Sequence, residues 1–138
     1  MLPAKCPPVK TILALAVLLC LAGCSPQKDL ADRLKEADRI IFASNTPGYE
    51  DLKSTVTGED VKKIIQAIAN AGKLSPNVDC GPDSRLEFFK GATHLVTITN
   101  CVQLFWIDHT PYHDKSGTLE KLNQKRRDEY DERQMKSF

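Results

Sequence analysis

The chain has 138 residues, which is the length of a single domain. Charged residues make up 27% of it and hydrophobic residues 41%, an ordinary balance for a globular protein. The net charge of +1 excludes a general electrostatic attraction to nucleic acid, so we expect no nucleic-acid partner.

The first 24 residues have the layout of a secretory signal. Lys5 and Lys10 precede an apolar stretch from Thr11 to Ala22, and small residues follow it. The stretch is shorter than the ~20 apolar residues that a membrane-spanning helix needs. Without Lys5 and Lys10 the number of basic residues falls from 19 to 17, against 18 acidic residues, so the remaining chain is close to neutral.

The segment Leu21-Ala22-Gly23-Cys24 closes this signal and resembles the lipobox of bacterial lipoproteins. The resemblance implies cleavage before Cys24, a diacylglyceryl group on its sulfur and acylation of its new amino group. Several acyl chains anchor a protein stably, whereas one chain does so only marginally. Residues 1–23 are therefore predicted to be a lipoprotein signal peptide. The alternative is an ordinary signal peptide that contains these four residues by chance.

The same resemblance predicts where the protein resides. The lipid bilayer is expected as a partner through Cys24, with the domain facing the periplasm or the cell exterior. In Gram-negative cells, Ser25 after Cys24 favours the outer membrane in this family of signals.

Residues 24–37 are predicted to form a lipidated tether or a short helix, because this polar segment has Leu30 and Leu34 one helical turn apart. A single α+β domain is then expected over residues 38–138. It begins with a strand at Arg39–Ala43, a compact apolar run that turn-forming residues follow.

An amphipathic helix is predicted over Val56–Gly72. Thr57 and Asp60 have the spacing of a capping box, and Gly72 stands where a left-handed C-terminal cap is expected. Apolar side chains recur three to four residues apart, so that one stripe must be buried against a sheet. The stripe consists of Val61, Ile64, Ile65 and Ile68.

Four antiparallel strands are expected after this helix, because runs rich in β-branched and aromatic residues alternate with turn signals. They are Arg85–Phe89, His94–Thr99, Val102–Ile107 and Thr110–His113. Tight turns are expected at Lys90-Gly91 or Gly91-Ala92, and at Asp108-His109. Pro111 predicts that the last strand lies at a sheet edge, since proline has no backbone N–H to donate.

A final helix is expected to be capped by Ser116, to bury Leu119 and Leu122, and to include Tyr130. Beyond Lys125 it is almost wholly charged and is expected to project into solvent or fray. The order strand, helix, four antiparallel strands, helix resembles the TATA-binding-protein-like α+β arrangement, a curved antiparallel sheet with helices on one face. This resemblance concerns topology and implies no function.

A short hairpin motif carries a second resemblance. Leu86, Phe88 and Gly91 form a Leu-x-Phe-x-x-Gly pattern that is similar to hairpins of small bacterial envelope lipoprotein domains. The resemblance brings no known activity with it.

The five cysteines have different roles under the lipoprotein interpretation. Cys6 and Cys20 leave with the signal and Cys24 carries lipid, which leaves Cys80 and Cys101 in a domain outside the cytoplasm. An even pair in an oxidising compartment is a disulfide by default. With the first of the two hairpin turns above, the pair lies directly opposed across the hairpin, within disulfide reach. Thiol redox chemistry and metal binding are the alternatives, although redox pairs are usually close in sequence.

The segment 108–114 contains two aspartates and two histidines, Asp108, His109, His113 and Asp114. Such side chains suggest zinc or copper binding. Ligands four residues apart converge on one side only in a helix, and Pro111 indicates a turn or strand here. The simpler interpretation is a polar hairpin tip, so no metal site and no cofactor are predicted.

Phe89, Trp106 and Tyr112 are candidates for a partner-binding aromatic patch on the open face of the sheet. The alternative is that other segments of the chain cover them. The sequence shows no Gly-rich phosphate loop, catalytic triad or paired carboxylates, so we expect no enzyme. We expect a membrane-anchored envelope protein that binds a protein or ligand. The alternative is a small metal-binding lipoprotein that uses the 108–114 cluster.

Overall fold

A computed structural model describes residues 25–138 of the chain. The predictions for residues 1–23 and for Cys24 lie outside the described residues. Over residues 25–138, no helix combines the length and the apolar character that crossing a bilayer requires. This part of the chain is an α+β domain with a curved, seven-stranded antiparallel sheet and three helices, which confirms the predicted class.

The described chain begins and ends with a helix. Its elements are α1 (Pro26–Leu34), β1 (Arg39–Ser44), β2 (Lys53–Thr57), α2 (Glu59–Ala69), β3 (Gly72–Lys73), β4 (Ser84–Lys90), β5 (Thr93–Cys101), β6 (Leu104–Ile107), β7 (Thr110–His113) and α3 (Thr118–Lys136). The strand order across the sheet is β2-β1-β4-β5-β6-β7-β3, with antiparallel neighbours. Strands β2 and β3 were not predicted.

Strands β1 and β4 form the centre of the core, and both were predicted correctly. Ile40 lies opposite Phe88 and Phe42 opposite Leu86 across this strand pair. All four side chains are at most 1% exposed. Because side chains alternate along a strand, these four share one face of the sheet and their neighbours lie on the other.

Helix α2 covers this core face. Val61, Ile64 and Ile68 are buried, and Ile65 packs partly against the same cluster, so the predicted apolar stripe is confirmed. Leu119 and Leu122 of α3 join the cluster from the neighbouring helix, also as predicted.

The predicted ends of α2 are wrong. Thr57 belongs to β2, where it pairs with Arg39, and the neighbouring Val56 is buried opposite Ile40. This pairing holds Thr57 in an extended strand, and the residue at the helix start is Gly58, with φ 67° and no side-chain cap. Gly72 does not cap the helix either, because it belongs to β3 and pairs there with His113 of β7.

The segment predicted as a tether or a short helix is helix α1. Leu30, Ala31 and Leu34 are buried in the common core. Gln27 Nε2 also donates a hydrogen bond of 3.1 Å to the carbonyl oxygen of Ala71, at the end of α2. Residues 26–34 are therefore part of the domain rather than a linker to it.

The β4–β5 hairpin turns at Gly91-Ala92, the second of the two predicted turns, with Lys90 opposite Thr93. A bulge between Phe88 and Phe89 shifts the register further. Cys80 therefore does not lie directly opposite Cys101 in the ladder, and β4 begins only at Ser84.

The Cys80–Cys101 disulfide nevertheless forms, as predicted. The two Cα atoms are 6.2 Å apart. Cys80 lies in the loop before β4, which we call the disulfide loop (residues 74–83). Asp83 N–H donates to the carbonyl oxygen of Asn100 at 3.0 Å and holds the end of this loop beside β5. A loop contact, not a cross-strand register, brings the two thiols together.

The two following turns are both two residues long. Cys101 pairs with Leu104, so Val102 lies in the first turn, with φ 52°. The prediction that Val102 belongs to β6 is therefore wrong. The turn Asp108-His109 is confirmed, with φ 47° and 66°. The prediction that Pro111 marks a sheet edge is wrong, because β3 pairs outside β7 over two residues. Pro111 has no N–H to donate, but its contact on this side uses only its carbonyl oxygen, which accepts a hydrogen bond from Leu74 N–H.

Helix α3 begins after Gly117, and its first turn is capped by a buried carboxylate. Leu119 N–H donates to Asp114 Oδ2 at 2.8 Å, and the Ser116 hydroxyl donates to the other oxygen of the same carboxylate. The predicted cap residue Ser116 takes part, but Asp114 provides the main cap.

Beyond Lys125, α3 stays helical to Lys136 and residues 131–138 are exposed, so of the two predicted alternatives projection into solvent is confirmed and fraying is wrong. Arg127 Nη2 donates to Thr46 Oγ1 at 3.0 Å and lies 3.4 Å from Asp83 Oδ2. Its guanidinium lies 5.5 Å from the ring centre of Tyr49. The Tyr49 hydroxyl donates to Asp131 at 2.9 Å. These bonds join the charged end of the helix to the loop between β1 and β2. Hydrophobic periodicity in the sequence does not reveal polar contacts of this kind.

We predict that loss of the disulfide destabilises the domain strongly. Replacing Cys80 and Cys101 together by Ser should lower the free energy of unfolding by about 3 kcal/mol, because the open chain regains loop entropy. Urea unfolding with and without reductant measures this difference. The double variant is the control and should not respond to reductant. Equal stability of the wild-type protein in both conditions would contradict the prediction.

We predict a pH-dependent contribution from Tyr49. Its hydrogen bond to Asp131 raises the pKa of Tyr49 above the ordinary value of 10.0. The bond requires the neutral phenol, so its stabilisation is complete below pH 10.0 and is lost as the pH rises through the raised pKa. Tyr49→Phe should therefore be less stable than wild type at neutral pH, and this gap should close in alkali.

Unfolding curves over this pH range test the contribution of Tyr49. Tyr130→Phe is the matched control, because the Tyr130 ring packs against Tyr49 at a tilt of 54° with ring centres 5.7 Å apart, but its hydroxyl makes no hydrogen bond in the described structure. Its stability difference from wild type should not depend on pH in this way. A Tyr49→Phe gap that stays constant into alkali would refute the role of the hydrogen bond.

Candidate functional site

The sheet face that points away from the helices is the candidate functional site. Alternation places here the neighbours of the core residues on each strand. They include Arg39, Ile41, Arg85, Glu87, Phe89, His94, Thr97, Thr99, Leu104 and Trp106. Most of these side chains are polar, so the large apolar members stand out.

Only two of the three predicted aromatic residues lie on this face. Tyr112 is 2% exposed and lies on the core face, where it pairs with Phe105 across β6 and β7 and their rings stack at 5.7 Å. Burial, with a smaller effect of Asp108, raises the pKa of Tyr112. The prediction that Tyr112 lies on the open face is wrong, because its strand position has the same orientation as buried Phe105.

Phe89 is half-buried among neighbours from its own domain. The guanidinium of Arg39 lies 4.6 Å from the ring centre of Phe89, and the ring of His94 meets its edge at 5.4 Å. Strand spacings place Phe89 roughly 15–20 Å from Trp106, two strands away and several residues along the sheet. The two aromatic side chains therefore do not form one continuous patch.

Trp106 borders a recess of about 550 Å³ on this face. The disulfide loop forms one wall, and Thr99 and Trp106 of the sheet form the floor. Asp108 and His109 of the β6–β7 turn stand at the rim. The wall residues are Pro76, Val78, Cys80 and Pro82. We call this cavity the Trp106 recess.

The wall of the Trp106 recess is held at one end and in its middle. Leu74 N–H donates to the carbonyl oxygen of Pro111 at 2.9 Å, where the disulfide loop leaves β3. Cys101 points to the same face as Trp106, so its bond to Cys80 pins the middle of the loop over the sheet. A recess with a fixed wall keeps its shape before a ligand arrives, which lowers the entropy cost of binding.

Sequence reasoning did not identify the wall residues. The signal was the pair of prolines, Pro76 and Pro82, on either side of Cys80. Prolines exclude regular strand pairing, and a disulfide in such a segment fixes an irregular loop. The direction in which this loop folds over the sheet has no local sequence signal.

The residues of the 108–114 cluster do not converge. Asp108 and His109 stand at the rim of the Trp106 recess, while His113 pairs with Leu104 and Gly72 within the sheet. Asp114 is fully buried and caps α3. Across residues 25–138, no three His, Cys, Asp or Glu side chains are grouped so that they could hold a metal ion.

Comparison with known proteins finds no family model, no curated protein and no solved structure that matches this chain.

Proposed function

We propose that the protein is a membrane-anchored envelope lipoprotein of bacteria that binds a protein partner in the Trp106 recess. The observation that carries the proposal is the position of the single tryptophan of the chain, half-buried beside a loop that a disulfide holds in place. The proposal assigns the domain a binding role and no catalytic one.

The dimensions and lining of the Trp106 recess support binding. Its volume of about 550 Å³ lies in the range of ligand sites. Tryptophan offers a large apolar surface with few rotatable bonds, and it is enriched among residues that dominate binding energy at interfaces. Pro76, Val78 and Pro82 add apolar surface, while Asp108 and His109 can fix orientation at the rim. An extended segment of a protein with an apolar side chain fits these features best.

The anchor at Cys24 is supported by the lipobox residues and by the position of α1. The helix begins at Pro26, two residues after Cys24, and its buried leucines are part of the core. A lipidated Cys24 would hold the domain directly at the bilayer surface with no flexible linker between them. The placement in the outer membrane, inferred from Ser25, belongs to the same proposal.

Two finer predictions carry less support. A TATA-binding-protein-like topology stays a prediction, since the curved antiparallel sheet with helices is the feature in common and it implies no function. The metal-binding alternative rests on His109 and His113 of the 108–114 segment, and the separated positions of these side chains do not favour it.

We predict that the protein partner binds at the Trp106 recess. A photoreactive amino acid at Val78, on the recess wall, should crosslink to one defined envelope protein in intact cells. The same group at Lys62, an exposed position of α2 outside the recess, is the matched control and should not. Mass spectrometry of the crosslinked products measures both. Equal products from both positions, or none from Val78, would exclude the recess as the binding site.

Trp106→Ala should weaken this complex by about 2 kcal/mol or more, which corresponds to roughly 30-fold in Kd. Trp106→Phe should retain part of the affinity, because the ring surface is partly preserved. Circular dichroism and the state of the Cys80–Cys101 disulfide report whether each variant is folded. A folded Trp106→Ala protein with unchanged affinity for the crosslinked partner would refute the role of this side chain.

We predict that Cys24 anchors the protein. Cys24→Ala should prevent lipid attachment and release the protein into the soluble fraction after cell lysis, since no acyl chain remains. Fractionation and intact mass measure location and acylation. Cys80→Ser with Cys101→Ser is the control, which removes two cysteines and should leave the protein in the membrane fraction. Membrane retention of the Cys24→Ala protein would contradict the anchor.

A further inference from the structure

A groove between α2 and the start of α3 lies on the opposite side of the sheet from the Trp106 recess. It consists of two adjoining cavities, of about 490 and about 260 Å³, which share Lys63 and Thr118. The larger cavity is lined by Gln66 of α2, by Asn70 directly after α2 and by Lys115 before α3. We call this feature the lysine groove.

Four lysine residues line the lysine groove. They are Lys63, Lys115, Lys121 and Lys125. Among the described residues, none of the four forms an ion pair within 4.0 Å. Lys62, by contrast, points elsewhere on α2 and pairs with Glu59 at 3.2 Å.

The acidic groups at the lysine groove do not balance these charges. Asp60 lines the smaller cavity. Asp114 lines the larger one but is fully buried, and its oxygens accept bonds from Ser116 and from the backbone of Leu119. Four cations face one exposed carboxylate and one buried, fully bonded carboxylate. The groove therefore attracts anions.

The backbone at Gly72 positions one of the four lysines. A β-carbon at this residue would lie 2.6 Å from Cε of Lys115 and 3.2 Å from its Nζ. The absence of a side chain at Gly72 thus lets the Lys115 stem lie across the sheet edge. The side-chain amides of Gln66 and Asn70 supply further hydrogen-bond donors along the same cavity.

We propose that the lysine groove binds a phosphate ester that carries hydroxyl groups, such as a glycerophosphate. Ammonium groups at several points of the groove match the spread charge of a phosphate, and charge-assisted hydrogen bonds of this kind are stronger than neutral ones. Amide donors and acceptors beside them match hydroxyl groups of the ester.

The phosphate ester can be a lipid headgroup or a soluble metabolite. The lysine groove ends beside the first turn of α1, because Gln27 bonds to Ala71, the neighbour of Gly72. A lipid source therefore rests on the proposed anchor at Cys24, which would place this end of the domain near the headgroups. Binding of a soluble ester does not depend on the anchor.

The first experiment titrates the processed, full-length mature protein in neutral detergent with glycerol 3-phosphate and follows the ligand by ³¹P NMR. Wild type should bind saturably. Lys63→Gln combined with Lys115→Gln should weaken binding by about tenfold or more, because two charge-assisted contacts are lost. Lys62→Gln, on the same helix, is the matched control and should change the affinity by less than about twofold, as expected for an exposed charge outside the site.

A second variant separates position from charge. Gly72→Ala should weaken binding without removing a cation, because the new β-carbon displaces the Lys115 side chain. The thermal unfolding midpoint should change little, since the displaced atoms belong to the far end of a flexible side chain. Absence of saturable binding by wild type, or an equal loss in Lys62→Gln, overturns the proposal.

The second experiment identifies the source of the phosphate. The lipidated protein is placed in nanodiscs of phosphatidylcholine alone or mixed with phosphatidylglycerol, and amine acylation of each lysine is read by mass spectrometry. Protection of Lys63 and Lys115 in the mixed discs alone supports the lipid headgroup. Protection only by added glycerol 3-phosphate supports a soluble ester. Protection in neither case overturns the groove as a phosphate site. Failure to enter discs would instead contradict the anchor, and the detergent titration would still decide the groove.

Discussion

Burial of a single face of the sheet is the constraint on which the rest of the structure depends. The alternate side chains of β1 and β4 are almost completely buried beneath α2, and Leu34 of α1 and Leu119 of α3 complete the same core. Loss of this apolar area from water supplies the main favourable term in folding. Because all three described helices contribute to one cluster, the second sheet face has no helix to cover it. Within residues 25–138, whatever covers that face must come from loops.

The disulfide loop lies over that exposed face and covers only part of it. Cys101 follows a core-facing residue, Asn100, so its sulfur necessarily points to the second face. A bond from that sulfur can fix only a segment that crosses this face. The loop therefore leaves a recess beside Trp106 instead of a closed second core. The same covalent bond that stabilises the domain thus also shapes its candidate binding site.

Periodicity in the sequence predicted the elements whose side chains enter the core, and it failed where pairing decides conformation. The stripe of α2 follows from apolar residues three to four positions apart, and the strands β1, β4 and β5 follow from apolar, β-branched and aromatic runs bounded by turn signals. Thr57 has the local pattern of a helix cap, but pairing with β1 holds it in a strand. The bulge at Phe88 and Phe89 changes the register by an amount that no residue type signals. Tyr112 was assigned to the wrong face for a related reason, since the side of a short strand depends on its partner.

The junction of α1 with the core connects the proposed anchor to the two candidate sites. A lipoprotein with a long, flexible tether presents its domain in every orientation. Here α1 begins two residues after Cys24 and is buried through Leu30 and Leu34, so an anchored domain would keep few orientations. Pro26 and Asp29 of α1 border a cavity with Trp106 and Asp108, and Gln27 bonds to the end of α2 beside the lysine groove. Both candidate sites therefore adjoin the end of the domain where the lipid would be attached. A partner in the recess and a phosphate in the groove would each be bound close to the membrane surface, and neither would require the domain to move away from it.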